Sequence, residues 1–240
     1  MNLPATRHSI LEAVRSDDAE VRRDGYGAMV AVYWKPVYKY VRLRWRIAAD
    51  EAQDTTQEFF ARAIEKSFFE SYDASKARFR TFLRLCLDRS IANERKASAR
   101  MKRGGGQIVV PLDFQSAEGE LLQHDVALPP DLDEYFHREW IRSLCALAVD
   151  DLRREYEAAG KRRQFRVFER YDLEAPAGGI ALTYTDVAAE CDVSPADVTN
   201  YLFAARRAFR RALLERLRSV CGTSREFEAE ARQLLRGGLR

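Results

Sequence analysis

The sequence predicts an all-α protein of two small helical domains joined by an acidic flexible linker, the second ending in a helix-turn-helix. Three observations predict it. Apolar residues recur at helical spacing through nearly every segment, and Ile108–Pro111 (IVVP) is the only stretch with strand character. Glycine and proline clusters, at Gly104–Gly106 and again at Pro111, Pro129 and Pro130, divide the chain into blocks. Between Leu182 and Arg211, two cap signals bracket a very short turn.

Taken in order, residues 1–21 read as an N-terminal extension and 22–103 as the first helical domain. Breaks are expected at Pro36, around Ala48–Asp50 and around Ser71–Ser75. Tyr33, Trp34, Tyr38 and Tyr40, with Phe59, Phe60, Ala63 and Ile64, read as core rather than as a base-stacking platform. Residues 104–133 lack sustained periodicity and read as the linker. The second domain spans 134–220, interrupted over Glu174–Leu182 by Pro176, Gly178 and Gly179. In the tail, 221–240, Thr223–Leu235 reads as one further amphipathic helix stopped by Gly237 and Gly238.

The cap signals in the second domain are Thr183 with Asp186 and Ser194 with Asp197. Each pair sets a hydroxyl at the N-cap and a carboxylate three residues on, a capping box with Asp in the usual Glu role. Pro195 falls at the first helical position, where its missing N–H costs nothing. Asp192 and Val193 leave room only for a sharp turn, and Asp tolerates the left-handed backbone such turns need. Beyond the turn, Val198, Leu202, Ala205 and Phe209 form a stripe to be buried, leaving Thr199, Asn200, Phe203, Arg206, Arg207 and Arg210 to face outward. A helical hairpin within an ordinary core would carry the same caps. The outward arginines favour a helix presented to the major groove of DNA.

Charge is strongly uneven, although 40 basic against 37 acidic residues leave a net charge of only +3. Arg89–Arg103 holds six basic residues against one acidic, Pro195–Arg218 six arginines against two acids, and Asp113–Glu139 eight acids against one arginine. Two basic surfaces flanking an acidic connector suit a polyanionic partner. Cys86, Cys145, Cys191 and Cys221 are widely spaced and form no C-x-x-C pair, which reads as buried thiols in a reducing cytoplasm. His8, His124 and His137 do not cluster, so no metal or other cofactor is expected. No apolar run approaches the ~20 residues of a membrane span. A nucleic-acid enzyme would need a convergent group of carboxylates, histidines or nucleophiles, and none is visible.

Three segments in this order, Asp50–Lys66 (DEAQDTTQEFFARAIEK), Phe79–Arg103 (FRTFLRLCLDRSIANERKASARMKR) and Leu182–Leu214, resemble bacterial RNA polymerase sigma factors of the extracytoplasmic-function class. The resemblance covers about Arg22 to Arg218. It implies that 22–103 corresponds to sigma region 2 and 134–220 to region 4, and that the chain is not an enzyme. The implied partners are core RNA polymerase, through the coiled coil of its largest subunit and the flap of its second-largest subunit, and promoter DNA, double-stranded and melted. A cytoplasmic, nucleoid-associated location is implied, with no membrane.

The implied polymerase-docking residues are Asp50, Glu51, Asp54, Gln57, Glu58 and Arg62. Independently, Glu51, Thr55, Glu58 and Arg62 share one helical face opposite Ala52, Phe59 and Ala63, with Asp54 beside them. Asp54 and Glu58 stand one turn apart as a metal site would require, without the further ligands to complete one. The implied readers of the minus-ten element are Arg80, Arg89, Asn93, Lys96 and Arg100, of which the last four recur at spacings of four, three and four. Asn93 stands where many relatives carry Asp. Readers of the minus-thirty-five element fall on Ser194, Pro195, Asp197, Thr199, Asn200, Phe203, Arg206, Arg207 and Arg210.

TQEFF at Thr56–Phe60, KRGGG at Lys102–Gly106 and EYFHREW at Glu134–Trp140 resemble the subgroup associated with serine/threonine kinases. This implies a kinase partner and a switch in which phosphate on Thr56 or Thr55 adds about −1.5 to −2 charge to the docking helix. Thr56 is favoured by the subgroup pattern and Thr55 by helical periodicity. The alternative to a sigma factor is a stand-alone helix-turn-helix regulator, which would bind its operator without polymerase.

Overall fold

A computed structural model describes residues 9–98, 112–123, 129–174 and 182–236. All regular structure among them is helical, as the periodicity predicts. The helices are α1 (Ile10–Ala13), α2 (Ala19–Trp45), α3 (Ala49–Glu65), α4 (Phe79–Ser98), α5 (Phe114–Gln123), α6 (Leu132–Ala158), α7 (Arg162–Phe168), α8 (Tyr184–Cys191), α9 (Pro195–Val220) and α10 (Ser224–Arg236). A 3₁₀ turn covers Phe68–Ser71, and α7 runs on into a π turn over Glu169–Leu173. No helix among the described residues is long and apolar enough to cross a membrane.

The chain forms two compact units, 1–143 with 217–240 and 144–216. These bounds differ from the division expected at 104–133, and the reason is packing. The start of α6 and the C-terminal helix both belong with the first unit, so the boundaries fall inside α6 and α9.

The first unit is organised around α2, which packs on α1, α3 and α5. Asp18 caps α2 by accepting from the N–H groups of Glu20 and Val21 at 2.8 and 3.2 Å. The break expected at Pro36 is absent: the helix continues through it, Pro36 itself being buried among Tyr33, Val37 and Tyr40. Where tertiary packing surrounds a helix on most sides, it can outweigh the lost backbone hydrogen bond of one proline. Gly25 lets α1 lie on α2, since a Cβ there would meet Ala13 Cβ and Val14 N at 2.8 Å. The breaks expected near residues 48 and 71–75 are present.

The segment expected to be a flexible linker contains α5, and α5 is docked. Phe114 inserts edge-on against Trp34 and Tyr38, ring centroids 5.4 and 5.1 Å apart. Arg42 grips Glu118 through Nε at 3.0 Å and a terminal nitrogen at 2.5 Å, and the Tyr38 hydroxyl donates to the same carboxylate at 2.6 Å. Lys35 and Lys39 each reach Glu120 at 2.7 Å. Lys39 also donates to Glu139 of α6 at 2.6 Å, and this pair is buried, with side chains 2% and 4% exposed. The acidity that suggested a solvated connector is complementary to the basic edge of α2.

In the second unit, Leu144, Ala148, Leu152 and Tyr156 of α6, Phe165 and Phe168 of α7, Val187 and Ala188 of α8, and the inner face of α9 are buried. Phe168 meets Phe209 with centroids 5.9 Å apart.

Replacing Lys39 with Ala leaves the buried Glu139 with only the solvent-facing Arg142, at 2.6 Å, as its cation, and the chain should lose about 2–3 kcal/mol in urea unfolding. The double variant Lys39→Met with Glu139→Leu should recover most of that loss.

Candidate nucleic-acid interface

The clearest candidate surface lies on the second unit at the head of α9. Thr183 accepts from Asp186 N–H at 3.2 Å while Asp186 accepts from Thr183 N–H at 2.9 Å, which closes a capping box at α8. Asp192 ends α8 in the left-handed region at φ 53°, and Val193 N–H returns to Ala188 O at 3.0 Å. Ser194 and Asp197 form the second box, with Ser194 N–H donating at 3.2 Å and Asp197 N–H at 3.1 Å. Glu190, near the end of α8, is held by Arg170 at 2.5 and 3.1 Å. That pairing pulls its carboxyl below the usual range.

On α9 the stripe Val198, Leu202, Ala205 and Phe209 is buried as expected. Thr199, Asn200, Phe203, Arg206, Arg207 and Arg210 are exposed, and Phe203 is 71% exposed, an apolar ring with no packing role. Not all of these side chains are free. The Arg206 fork is closed on Asp172 at 2.8 and 2.7 Å and lies over the Tyr171 ring, 5.6 Å from its centroid. Hydrogen bonding to Asp172 raises its pKa further above the usual arginine value. Ser194 and Asp197 are engaged in the cap, and Thr199 Oγ1 donates to Pro195 O at 3.3 Å. Asn200, Phe203, Arg207 and Arg210 remain as outward groups.

A second surface lies on the first unit, where the end of α3, the 3₁₀ turn and α4 enclose a cleft of about 320 Å³. Arg62, Lys66, Phe68, Cys86, Arg89 and Asn93 are among its lining residues. Arg89 and Asn93 are therefore brought together as expected. Arg62, expected on the polymerase-docking face, pairs with Glu58 and also turns into this cleft. Lys66 and Phe68 were not legible as members, because they reach α4 only through the turn after α3. Lys96 lies within α4, but its side chain and the whole of Arg100 fall outside the described residues.

Arg80 does not join the cleft. It precedes Arg89 by about two and a half helical turns and so projects from the opposite face. There it binds Glu230 of α10 and lies 5.2 Å from the Trp140 ring centroid. Arg78 reaches the same carboxylate at 2.6 Å and His137 Nε2 faces it at 3.3 Å. Burial alone would raise the Glu230 pKa, yet His137, Arg80 and Arg78 together bring it down to about 2.

On α3, Asp50, Glu51, Asp54 and Glu58 are exposed, and Gln57 and Thr55 are half-exposed. Thr56 is not: its side chain is fully buried and Oγ1 donates to Ala52 O at 2.7 Å. A phosphate on Thr56 would require opening the helix, so Thr55 is the accessible threonine. Among the described residues no group of three or more His, Cys, Asp or Glu side chains could hold a metal ion. Cys221 is buried, and Cys86, Cys145 and Cys191 are half-buried and unbridged. The chain matches no protein-family model, no curated protein and no solved structure.

Two measurements follow from this geometry. Asp192→Gly removes the cost of a left-handed L-residue and should stabilise the second unit by about 0.5–1 kcal/mol in thermal unfolding. Because Glu230 has its pKa lowered in the folded state, its contribution is complete above the unfolded value near 4.5 and lost as pH falls toward about 2. The stability gap between wild type and Glu230→Gln, roughly 3 kcal/mol at neutral pH, should therefore shrink steadily across that window in acid titration.

Proposed function

We propose that the chain is a sigma factor of the extracytoplasmic-function type, which binds core RNA polymerase and directs it to a small set of promoters. It performs recognition and strand separation, not bond chemistry, in the cytoplasm at the nucleoid. The observation that carries the reading is the outer face of α9. After a capped, tightly turned entry, the helix commits its apolar stripe inward and leaves Asn200, Phe203, Arg207 and Arg210 to a partner. Asn can bond an adenine edge, an exposed aromatic ring suits a thymine methyl group, and the two arginines suit flanking phosphates.

The cleft on the first unit supplies what a lone DNA reader lacks. Arg62, Lys66 and Arg89 place cations around Asn93 and Phe68, a combination suited to a single strand whose bases are turned out. The acidic stripe Glu51, Asp54 and Glu58 suits a basic polymerase surface. Kinase control through Thr55 would reinforce that stripe by adding charge beside Glu51 and Glu58.

Purified chain should yield transcripts with discrete start points when mixed with core polymerase and genomic fragments, and core alone should not. A stand-alone regulator would instead protect an operator with no polymerase present and give no transcripts. On the upstream element, Arg207→Ala should weaken binding about equally across sequences and lower the salt slope by about one. Phe203→Ala should cost roughly tenfold and make the complex indifferent to replacing the contacted thymine with deoxyuridine, read by gel shift with polymerase present. If the double variant Thr55→Ala, Thr56→Ala, shown to be folded, transcribes normally under inducing conditions, the kinase switch is excluded.

A further inference from the structure

Helix α10 is fastened to the first unit chiefly by charge. Phe227, Ala231, Leu234 and Leu235 are only half-covered, and Glu230 is the one buried side chain among the helix's described residues. A helix of 13 residues is marginal by itself in water. Glu230 is its most buried tether, beside Arg218 lying 4.1 Å over the Phe227 ring and Glu226, which accepts from Gly222 N–H at 2.9 Å and from the Phe79 N–H at the start of α4. Glu230 meets Arg78 at 2.6 Å, Arg80, and His137 Nε2 at 3.3 Å, with its own side chain fully buried. The cluster stands where α4 begins: the Phe82 N–H donates to Arg78 O at 3.1 Å, and the next residue is the first of the helix. Trp140 supports the Arg80 guanidinium from one side. Two guanidinium groups and an imidazole closing on a pair of oxygens at a helix start would satisfy a phosphate as well as they satisfy a carboxylate.

We propose that Arg78, Arg80 and His137 form a binding site for a DNA backbone phosphate and that Glu230 occupies it in the free protein. Helix α10 is then a cover that a nucleic-acid strand displaces. Naming the anion as DNA rests on the sigma-factor reading; the exchange of one anion for another is a property of the site. Exchange keeps Arg80 paired in both states, which avoids the penalty of a buried cation left alone. It also gives Arg80 a role on the face of α4 opposite the Arg89 and Asn93 cleft. Gly222 eases the approach of α10, since a Cβ there would press on Ala74 Cβ and the Tyr72 hydroxyl at 3.0 Å.

The test uses the full chain without polymerase. Binding of a fluorescent oligothymidylate is followed by anisotropy over a salt series for wild type and Glu230→Gln. Hydrogen exchange of α10 is followed in wild type with and without saturating oligonucleotide. The variant should bind about five- to twenty-fold tighter at low salt, with a slope steeper by about 0.7, the value for one phosphate on a single strand. Adding Arg78→Ala to the variant should return the affinity toward wild type. In wild type the oligonucleotide should strip protection from α10, and inorganic phosphate at equal ionic strength should not.

Unchanged affinity in a folded Glu230→Gln chain overturns the proposal, as does constant α10 protection at saturation or no oligonucleotide binding by either protein. Loosening of α10 by inorganic phosphate as readily as by the oligonucleotide overturns the assignment to DNA. If Glu230→Gln fails to fold, the exchange measurement on wild type decides. Failure of the sigma-factor reading shows separately, as the absence of discrete transcripts with polymerase.

Discussion

A lysine buried in the middle of α2 constrains the rest of the first unit. Lys39 is 2% exposed, and a buried ammonium must be answered by carboxylates from wherever the chain can supply them. Glu139 answers from α6 and Glu120 from α5, so one side chain fixes where two later segments pack. Lys35 and Arg42 extend the same edge of α2, and Glu118 completes its neutralisation. With α5 and the start of α6 committed there, Trp140 comes against Tyr33 and Arg80, and His137 comes to the place where Glu230 of α10 arrives. The C-terminal helix is thus positioned, through α6, by a charge buried in α2.

Much of the second unit was legible from local chemistry. A hydroxyl and a carboxylate three residues apart make a cap whatever surrounds them, and an apolar stripe at helical spacing turns inward wherever a core exists. Thr183, Ser194, Val198 and Phe209 therefore behave as their spacing requires. The first unit was less legible because its decisive contacts join residues far apart in sequence. Nothing near Pro36 indicates that a helix will run through it, and nothing in the composition of 114–123 separates an acidic linker from an acidic helix matched to a basic partner. Thr56 and Arg80 illustrate the same limit at the candidate sites. Each belongs to a helix correctly placed by pattern, and each is engaged by a neighbour that the pattern does not reveal, Thr56 by the Ala52 carbonyl and Arg80 by Glu230.

Self-pairing recurs at the candidate DNA-binding groups. Arg206 is closed on Asp172, Arg62 on Glu58, and Arg80 on Glu230. The exposed pairs are held weakly, because solvent and salt screen them. Arg80 and Glu230 differ by being shielded, so their exchange involves a whole helix rather than one side chain. On the sigma-factor reading proposed above, cations already answered internally would temper indiscriminate binding to nucleic acid and leave a correctly presented strand to compete for them.

Permanganate reactivity of unpaired thymines directly measures the promoter opening proposed for this chain together with polymerase. On a template carrying one of its promoters, thymines just upstream of the start point should react only when the chain and core polymerase are both present. Reactivity with core alone, or none with both proteins on DNA that the chain binds by itself, would contradict promoter opening by this chain and point to a regulator that binds duplex DNA unaided.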